Sequence, residues 1–430
     1  MKKFILFLLT FVFAMGMVLP ASADATYPVY QEDNWETPIA EGRSINGSVY
    51  LPLRSLFETF DASVYWDSKE KSVRIRRCDD AVLQIFTQGG KKSCLTLHNG
   101  KKTEISTDKK IYVINGTTWV PLRFIGENML CTVRWDNQYK SVFIDKNYAI
   151  EKDVSRNLSY ILNLQNGELY EKNQDSVKYI GLCSKTAEFL NTYSSRYSGL
   201  NVERTENGNY LICVDILSTG ALTSTAQEWV WANGQTGESI SALTHGLGTP
   251  TVSDTDGSFS SYTPVQKSGD IIWLGGNNIL YKINDRTETK EKVFDLSTLI
   301  KPVASEQSED IYFINTAGKN LLLENSSGCW YLVDTAGKQP VNLCKELLTE
   351  QLKADVNEFL MQQPFYRNQD DLNYYWQSFG KSPYLSVDPV PSMQLRTIQS
   401  DVLHFDFICS YYNADGSWGK KIYPLTYQYK

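Results

Sequence analysis

The sequence predicts an α+β module near the N-terminus, built from two strand–helix–hairpin repeats, followed by a mainly β C-terminal body. Three observations predict it. Residues 45–75 and 114–144 align without a gap, 69 residues apart, with 14 identities. Within each copy the apolar period changes from that of a strand to that of a helix and back. Beyond residue 150, short aromatic-rich apolar runs recur between turn residues.

The chain opens with Met1-Lys2-Lys3, an apolar run from Phe4 to about Leu19, and the small-x-small site Ala21-Ser22-Ala23. Residues 1–23 therefore read as a signal peptide, with the mature protein starting near Asp24. The run is shorter than the roughly 20 residues a membrane span requires. No later stretch reaches that length, so no transmembrane anchor is expected after cleavage, and the protein is expected to be secreted or associated with the cell surface. Residues 24–150 carry 17 basic and 16 acidic side chains, whereas 151–430 carry 23 and 33. An acidic body is a poor match for nucleic acid or anionic lipid. Lys91-Lys92, Lys101-Lys102 and Lys109-Lys110 form a mildly basic strip that reads as a solvated face.

Eight cysteines, Cys78, Cys94, Cys131, Cys183, Cys213, Cys329, Cys344 and Cys409, are too few in 430 residues for a disulfide scaffold. Export permits disulfides without fixing their connectivity. Cys78 and Cys94 fall where neighbouring strands would bring them face to face. Cys131 aligns with Ala62, which suits a small buried residue.

In each repeat an Asn-Gly turn (Asn46-Gly47, Asn115-Gly116) leads into a short strand, Val49-Tyr50-Leu51 or Trp119-Val120. Pro52 and Pro121 suit the first helical turn, where a missing N–H costs nothing. Leu53, Leu56, Phe57 and Phe60 then form one helical stripe, matched by Leu122, Ile125 and Met129 with Gly126 in the Phe57 slot. Val64-Tyr65-Trp66-Asp67 and Val73-Arg74-Ile75 read as a hairpin, as do Val133–Asp136 and Val142–Ile144. Strand phase places Trp66 and Trp135 with Val64 and Val133, facing the core. Arg54–Glu58 and Arg123–Glu127 are i, i+4 pairs that would tie the helix to the next turn through Asp67 and Asp136. Neither copy can bury a core alone, so the two should pack together.

At these residues the chain resembles the copper amine oxidase-like N-terminal domain, or stalk domain, a module common in exported proteins of Gram-positive bacteria. The resemblance rests on the doubled pattern Pro-Leu-Arg, apolar helix, Val-x-Trp-Asp and Val-x-Ile, and covers roughly residues 35–147. Where the family has Leu-Gly-Ala, this chain has Phe60-Asp61-Ala62 and Met129-Leu130-Cys131. The resemblance implies an α+β accessory module and neither copper nor catalysis.

Residues 151–430 form the β-rich region. Asp270–Leu274 and Ile279–Ile283 read as paired strands; Asp310–Ile314 and Leu321–Leu323 repeat that layout, and Trp330–Val333 adds another strand. These segments loosely resemble the six-bladed, Tyr-Trp-Thr-Asp type of propeller found beside stalk domains; an irregular β sandwich is the other arrangement they fit. Leu348, Leu352, Val356, Phe359 and Leu360 mark a helix across 345–362 that interrupts any blade series.

No motif names a reaction. Amine oxidase chemistry needs three imidazoles, two of them close in sequence, and a Tyr followed by Asp or Glu for the quinone cofactor. The chain has only His98, His245 and His404, and follows Asn373-Tyr374 with Tyr375. It lacks a Gly-x-Ser-x-Gly elbow, a Walker loop and a zincin motif. Asp254-Thr255-Asp256-Gly257-Ser258 opens like a calcium loop, but its twelfth position is Val265 instead of Glu. Asp415-Gly416-Ser417 reads as a turn. No catalytic, cofactor-binding or metal residue is therefore assigned and no cofactor is expected. Trp229 and Trp231, Tyr374-Tyr375-Trp376 and Tyr411-Tyr412 are candidates for a sugar-stacking platform, although such residues also fill β cores. The expected function is non-enzymatic: binding or scaffolding at the bacterial cell envelope, with cell-wall glycan or another surface protein as partner. The competing class is a cell-wall glycan hydrolase with carboxylates in the C-terminal region.

Overall fold

Two Asn-Gly dipeptides fix the first sheet. In the computed structural model, φ is +49° and +75° at Asn46 and Gly47, and +51° and +77° at Asn115 and Gly116. Those left-handed values suit a two-residue hairpin turn, because they match the right-handed twist of the flanking strands. The structure describes residues 25–31, 36–53, 60–86, 93–97, 100–106, 109–174, 176–192, 195–218, 225–246, 264–276, 279–295, 311–325, 328–334, 340–379, 389–399 and 401–429. The signal-peptide segment, Arg54, Leu56, Phe57, Glu58, Lys91-Lys92, His98 and Asp254–Ser258 lie outside the described residues.

The chain divides into two compact units. One comprises residues up to Gln165 with Tyr170–Lys178; the other comprises Asn166–Leu169 with Tyr179–Lys430. The first unit contains β1 (Thr26–Gln31), β2 (Ala40–Ile45), β3 (Ser48–Pro52), β4 (Ser63–Asp67), β5 (Ser72–Arg76), β6 (Val82–Phe86), β7 (Ser93–Thr96), β8 (Lys102–Ile105), β9 (Tyr112–Ile114) and β10 (Thr117–Pro121). Helix α1 (Leu122–Asn128), β11 (Cys131–Asp136) and β12 (Ser141–Lys146) follow. Seven strands pair in the order β11-β12-β1-β2-β3-β10-β9, and five in the order β4-β5-β6-β7-β8. Strand β3 pairs antiparallel with β10 about Leu51 and Val120, which are equivalent residues of the two sequence copies. The two hairpins diverge: β11–β12 joins this sheet through the parallel pair β12–β1, while β4–β5 starts the other sheet.

Several local expectations change. Pro121 is the extended N-cap of α1 instead of its first helical residue. Trp66 is 52% and Trp135 39% exposed, so neither is a core residue. Both belong to edge strands; alternation gives the phase of a strand, but at an edge nothing has to cover either face. Burial falls on the partner strands, at Val73 and Ile75 and at Val142 and Ile144. Asp67 pairs with Arg74 at 3.0 Å and accepts the amides of Lys69 and Glu70. Asp136 likewise accepts those of Gln138 and Tyr139. These carboxylates shape the hairpin turns. Cys94 stands opposite Gln84 and Glu104, not Cys78; burial pushes the Cys78 thiol up to about 12.

Asp61 (φ +51°) and Leu130 (φ +56°) adopt the left-handed conformation where the resembled pattern has Gly, so the turn survives the substitution. Gly126 has the opposite role: a Cβ there would lie 2.3 Å from Val133 Cγ2, so α1 seats closely on β11. Val133 is β-branched and stiff in its strand, with little room to give. Gly126→Ala is expected to cost about 1–2 kcal/mol, overpacking outweighing the gain in helix propensity. Urea denaturation checks this; a variant as stable as the parent contradicts it.

The rest of the chain is mostly β. Strands β13–β16 (Tyr148–Asp153, Leu158–Asn163, Glu168–Lys172, Val177–Leu182) form one four-stranded sheet. After helix α2 (Ser184–Thr192) come β17–β20 (Ser195–Arg204, Tyr210–Ser218, Thr225–Ala232, Ser239–Gly246). Next are β21–β24 (Val265–Ser268, Ile271–Gly276, Ile279–Asn284, Thr289–Asp295) and β25–β28 (Ile311–Ala317, Asn320–Asn325, Trp330–Asp334, Val341–Asn342). Each group is a four-stranded sheet in sequence order, the strand layout of a propeller blade. The stripe read across 345–362 is two helices, α3 (Leu343–Leu347) and α4 (Glu350–Leu360), because Thr349 caps the second through its hydroxyl on the Leu352 amide. Helix α5 (Gln369–Gln377) starts under an Asn368 cap with Asp370 and Asp371 in its first turn. Strands β29–β31 (Ser392–Gln399, Val402–Tyr412, Trp418–Gln428) close the chain as a three-stranded sheet. No helix among the described residues is long and apolar enough to cross a membrane.

Candidate functional site

The C-terminal sheet gathers the aromatics that sequence clusters only suggested. Strands β30 and β31 run side by side over 11 residues each. Leu403, Phe405, Phe407 and Cys409 alternate on one buried face of β30. Helices α4 and α5 pack Leu352, Val356, Leu360, Leu372 and Tyr375 against Phe407 and Cys409. Within this cluster Trp376 stacks on Phe407 at 5.6 Å and donates its indole N–H to Asn357. Tyr375 and Trp376 are thus structural, as is Trp231, which is fully buried.

A second row reaches the surface. Tyr412 and Trp418 are register partners, with ring centroids 6.4 Å apart and planes at 87°. Phe365, in the turn after α4, lies 5.2 Å from Tyr412. Phe365 is 47% and Trp418 49% exposed, so the row offers apolar ring surface to solvent. On the other face of β30, Tyr411 meets Phe359 edge-on at 5.0 Å. Lys421 holds its ammonium 4.1 Å from the Phe359 ring centroid and 5.0 Å from that of Tyr423. Gly419 makes this possible, because a Cβ there would fall 2.5 Å from Tyr411 Cζ. Exposed rings at a sheet end can stack on sugar faces or grip an apolar side chain; the row contains no nucleophile–base pair. Neither Phe365 nor Trp418 lies in a sequence cluster. Only the register of β30 with β31 and the turn after α4 bring them to Tyr412.

Other candidates are structural or fall elsewhere. His404 contacts Gln399 at 3.3 Å, and the side chain of His245 lies outside the described residues. Asp415 accepts the amide and hydroxyl of Ser417; the hydroxyl, then the amide, lowers its pKa. Among the described residues no group of three or more His, Cys, Asp or Glu could hold a metal ion. A cleft of about 600 Å³ in the first unit is lined by Asp61, Lys146, Tyr148, Lys152 and Lys172, among others. Two of its lysines are already engaged: Lys146 with Asp61 at 3.1 Å, Lys172 with Asp80 at 3.2 Å and the Cys78 carbonyl at 2.7 Å.

Three buried carboxyls lie in the second unit among the described residues: Glu228, Asp285 and Glu324. Glu228 receives the Lys185 and Thr186 amides at 3.1 and 2.6 Å, at the start of α2. Burial raises its pKa even so. Asp285 accepts from Trp231 Nε1 at 2.7 Å, Asn207 Nδ2 at 2.9 Å and Asn209 Nδ2 at 3.1 Å. Burial alone would raise its pKa, but these bonds and one from Thr205 bring it below the ordinary value. Burial, then the neighbouring Cys329 thiol, pushes Glu324 up to about 8.

No curated protein matches this chain. Among solved structures it is similar to the AfRom2 CNH domain, at 10% identity, covering 84% of this chain and 92% of that one with a TM-score of 0.21. The extracellular domain of a one-component system from B. thetaiotaomicron is similar at 10% identity over 94% of this chain and 65% of that chain, TM-score 0.22. BamB from Moraxella catarrhalis, a propeller-like fold, is similar at 9% identity over 90% and 85%, TM-score 0.20. Residues 36–144, about a quarter of the chain, match the family model of the copper amine oxidase N-terminal domain.

Proposed function

We propose that this is a non-enzymatic, exported surface protein in which a stalk-type module presents a β-rich binding or scaffolding body at the bacterial cell envelope. In this reading residues 1–23 are a cleaved signal peptide, 35–147 a duplicated α+β stalk and 151–430 a propeller-like body, and no residue is catalytic. The match at residues 36–144 supports the module. The direct pairing of Leu51 with Val120 supports a duplicated origin. The observation that carries the binding role is the exposed row Phe365–Tyr412–Trp418. Cell-wall glycan is the partner its ring faces suit best, and the apolar side chains of another surface protein come second.

Sedimentation of the mature chain, residues 24–430, with insoluble Gram-positive cell wall tests this. Saturable co-pelleting is expected, weakened about tenfold by Trp418→Ala, equivalent to the loss of roughly 1.4 kcal/mol of contact. Absence of pelleting at moderate salt overturns wall binding. Equal pelleting of the Trp418→Ala variant removes the aromatic row as the binding surface.

A further inference from the structure

We propose that Cys329 and Cys344 are a disulfide-forming pair, with Glu324 taking up the proton of the attacking thiol. Cys329 sits immediately before β27, in a turn closed by its amide on Asn325 Oδ1 at 2.9 Å and by its carbonyl on the Asn325 amide at 3.0 Å. Cys344 is the second residue of α3. Its Sγ lies 3.4 Å from the Trp330 amide and 4.0 Å from the Gly328 carbonyl, bracketing Cys329 from both sides. The two thiols are joined by a side-chain hydrogen bond. Both also pack against one apolar cluster containing Leu332, Leu343 and Leu403. Packing alone does not require this arrangement, since paired aliphatic side chains would fill the same space.

Glu324 supplies the third group. It is buried at the end of β26, with Oε1 about 4.0 Å from where a Cβ on Gly328 would stand. Its carboxyl is electrostatically coupled to both thiols. A carboxyl buried beside two thiols is costly unless it has a task there.

The oxidant is an external disulfide, either a small one such as oxidised glutathione or that of a thiol–disulfide oxidoreductase. Cys329, half-buried while Cys344 is 5% exposed, reacts first. Near pH 8, where Glu324 begins to ionise, the S–H proton passes to its carboxylate, and the thiolate attacks one sulfur of the oxidant. That S–S bond breaks and releases one thiolate, which takes a proton from water. Cys344 Sγ then attacks Cys329 Sγ in the mixed disulfide; its proton goes to the oxidant's second sulfur, which leaves as a thiol, and Glu324 returns its proton to the hydroxide left when the first thiolate was protonated. Two protein thiols become one disulfide, and the external disulfide becomes two thiols. The bridge closes a 15-residue separation and ties β27 to α3.

The test uses the mature chain and does not depend on the binding role. The protein is incubated with oxidised glutathione, denatured in N-ethylmaleimide, and its peptides are mapped by mass spectrometry. A linked Cys329–Cys344 peptide pair about 2 Da lighter than the sum of the reduced peptides is expected. Reduction should then lower Tm by roughly 5 °C in the parent and leave a Cys329→Ser/Cys344→Ser variant unchanged. Maleimide on both cysteines of the oxidant-treated parent overturns the pair, whatever the variants do. At pH 8, where Glu324 is substantially ionised, Glu324→Gln should slow bridge formation at least tenfold; an unchanged rate there overturns the role of Glu324.

Discussion

Asp285→Ala is expected to remove about 3–5 kcal/mol of stability, enough to unfold a marginal protein. The residue is 3% exposed and serves donors from the β17–β18 turn and from β19 at once. Trp231 Nε1 and the amides of Asn207 and Asn209 all point to it, and Asn209 passes the link on by accepting the Gly234 amide at 2.8 Å. The network therefore joins the β17–β20 sheet to the turn between β23 and β24. Truncation leaves the Trp231 indole N–H buried without an acceptor, at about 1–3 kcal/mol, and removes one of the two Asn209 Nδ2 bonds, the other being to the Asp285 carbonyl at 2.8 Å. Asp285→Asn keeps an oxygen for Trp231 and should lose less.

The sign of the pH effect follows from the lowered pKa of Asp285. The folded state binds its proton more weakly than the unfolded chain does. Its contribution is therefore complete above the ordinary carboxylate range and is lost as pH falls through it. Urea midpoints of the parent and Asp285→Ala should thus converge in acid. A variant within about 1 kcal/mol of the parent at neutral pH contradicts the role given to this residue.

This network also shows where sequence reading stops. The Asn-Gly turns were legible because two adjacent residues determine them. The strands at 271–276, 279–284 and 311–325 were legible from their period and flanking turns. Trp66 and Trp135 were misplaced because period gives the phase of a strand, and only the sheet order shows that β4 and β11 are edges. Asp285 carries no local signal at all: its partners lie 54 to 80 residues away, and its turn, Asn284-Asp285-Arg286-Thr287, reads as an ordinary polar one. Phe365 has the same problem at the surface. Contacts made by pairing between distant strands are written in the register, and the register is not written in any one segment.

The second large effect lies at Glu324, with the opposite sign. Burial raises its carboxyl from the usual 4.5 to about 8, and the Cys329 thiol is the charged-form neighbour that adds to the rise. A folded pKa above the unfolded one means that the native state holds the proton more tightly. Stability is then complete below about pH 4.5 and is lost as pH climbs towards 8. At 1.4 kcal/mol per unit, the whole excursion is on the order of 5 kcal/mol, an upper figure because structure and water relax around a buried charge. Glu324→Gln keeps the shape and stays neutral, so it should resemble the parent near pH 5 and be the more stable protein at pH 9. The difference between the two urea midpoints isolates this group from the tyrosines and thiols that titrate in the same range, since both proteins share them. A difference that stays flat from pH 5 to 9 would mean that Glu324 ionises in the folded chain as it does in water. Glu324 would then lose its claim to act as a buried proton acceptor, whether or not Cys329 and Cys344 form their bridge.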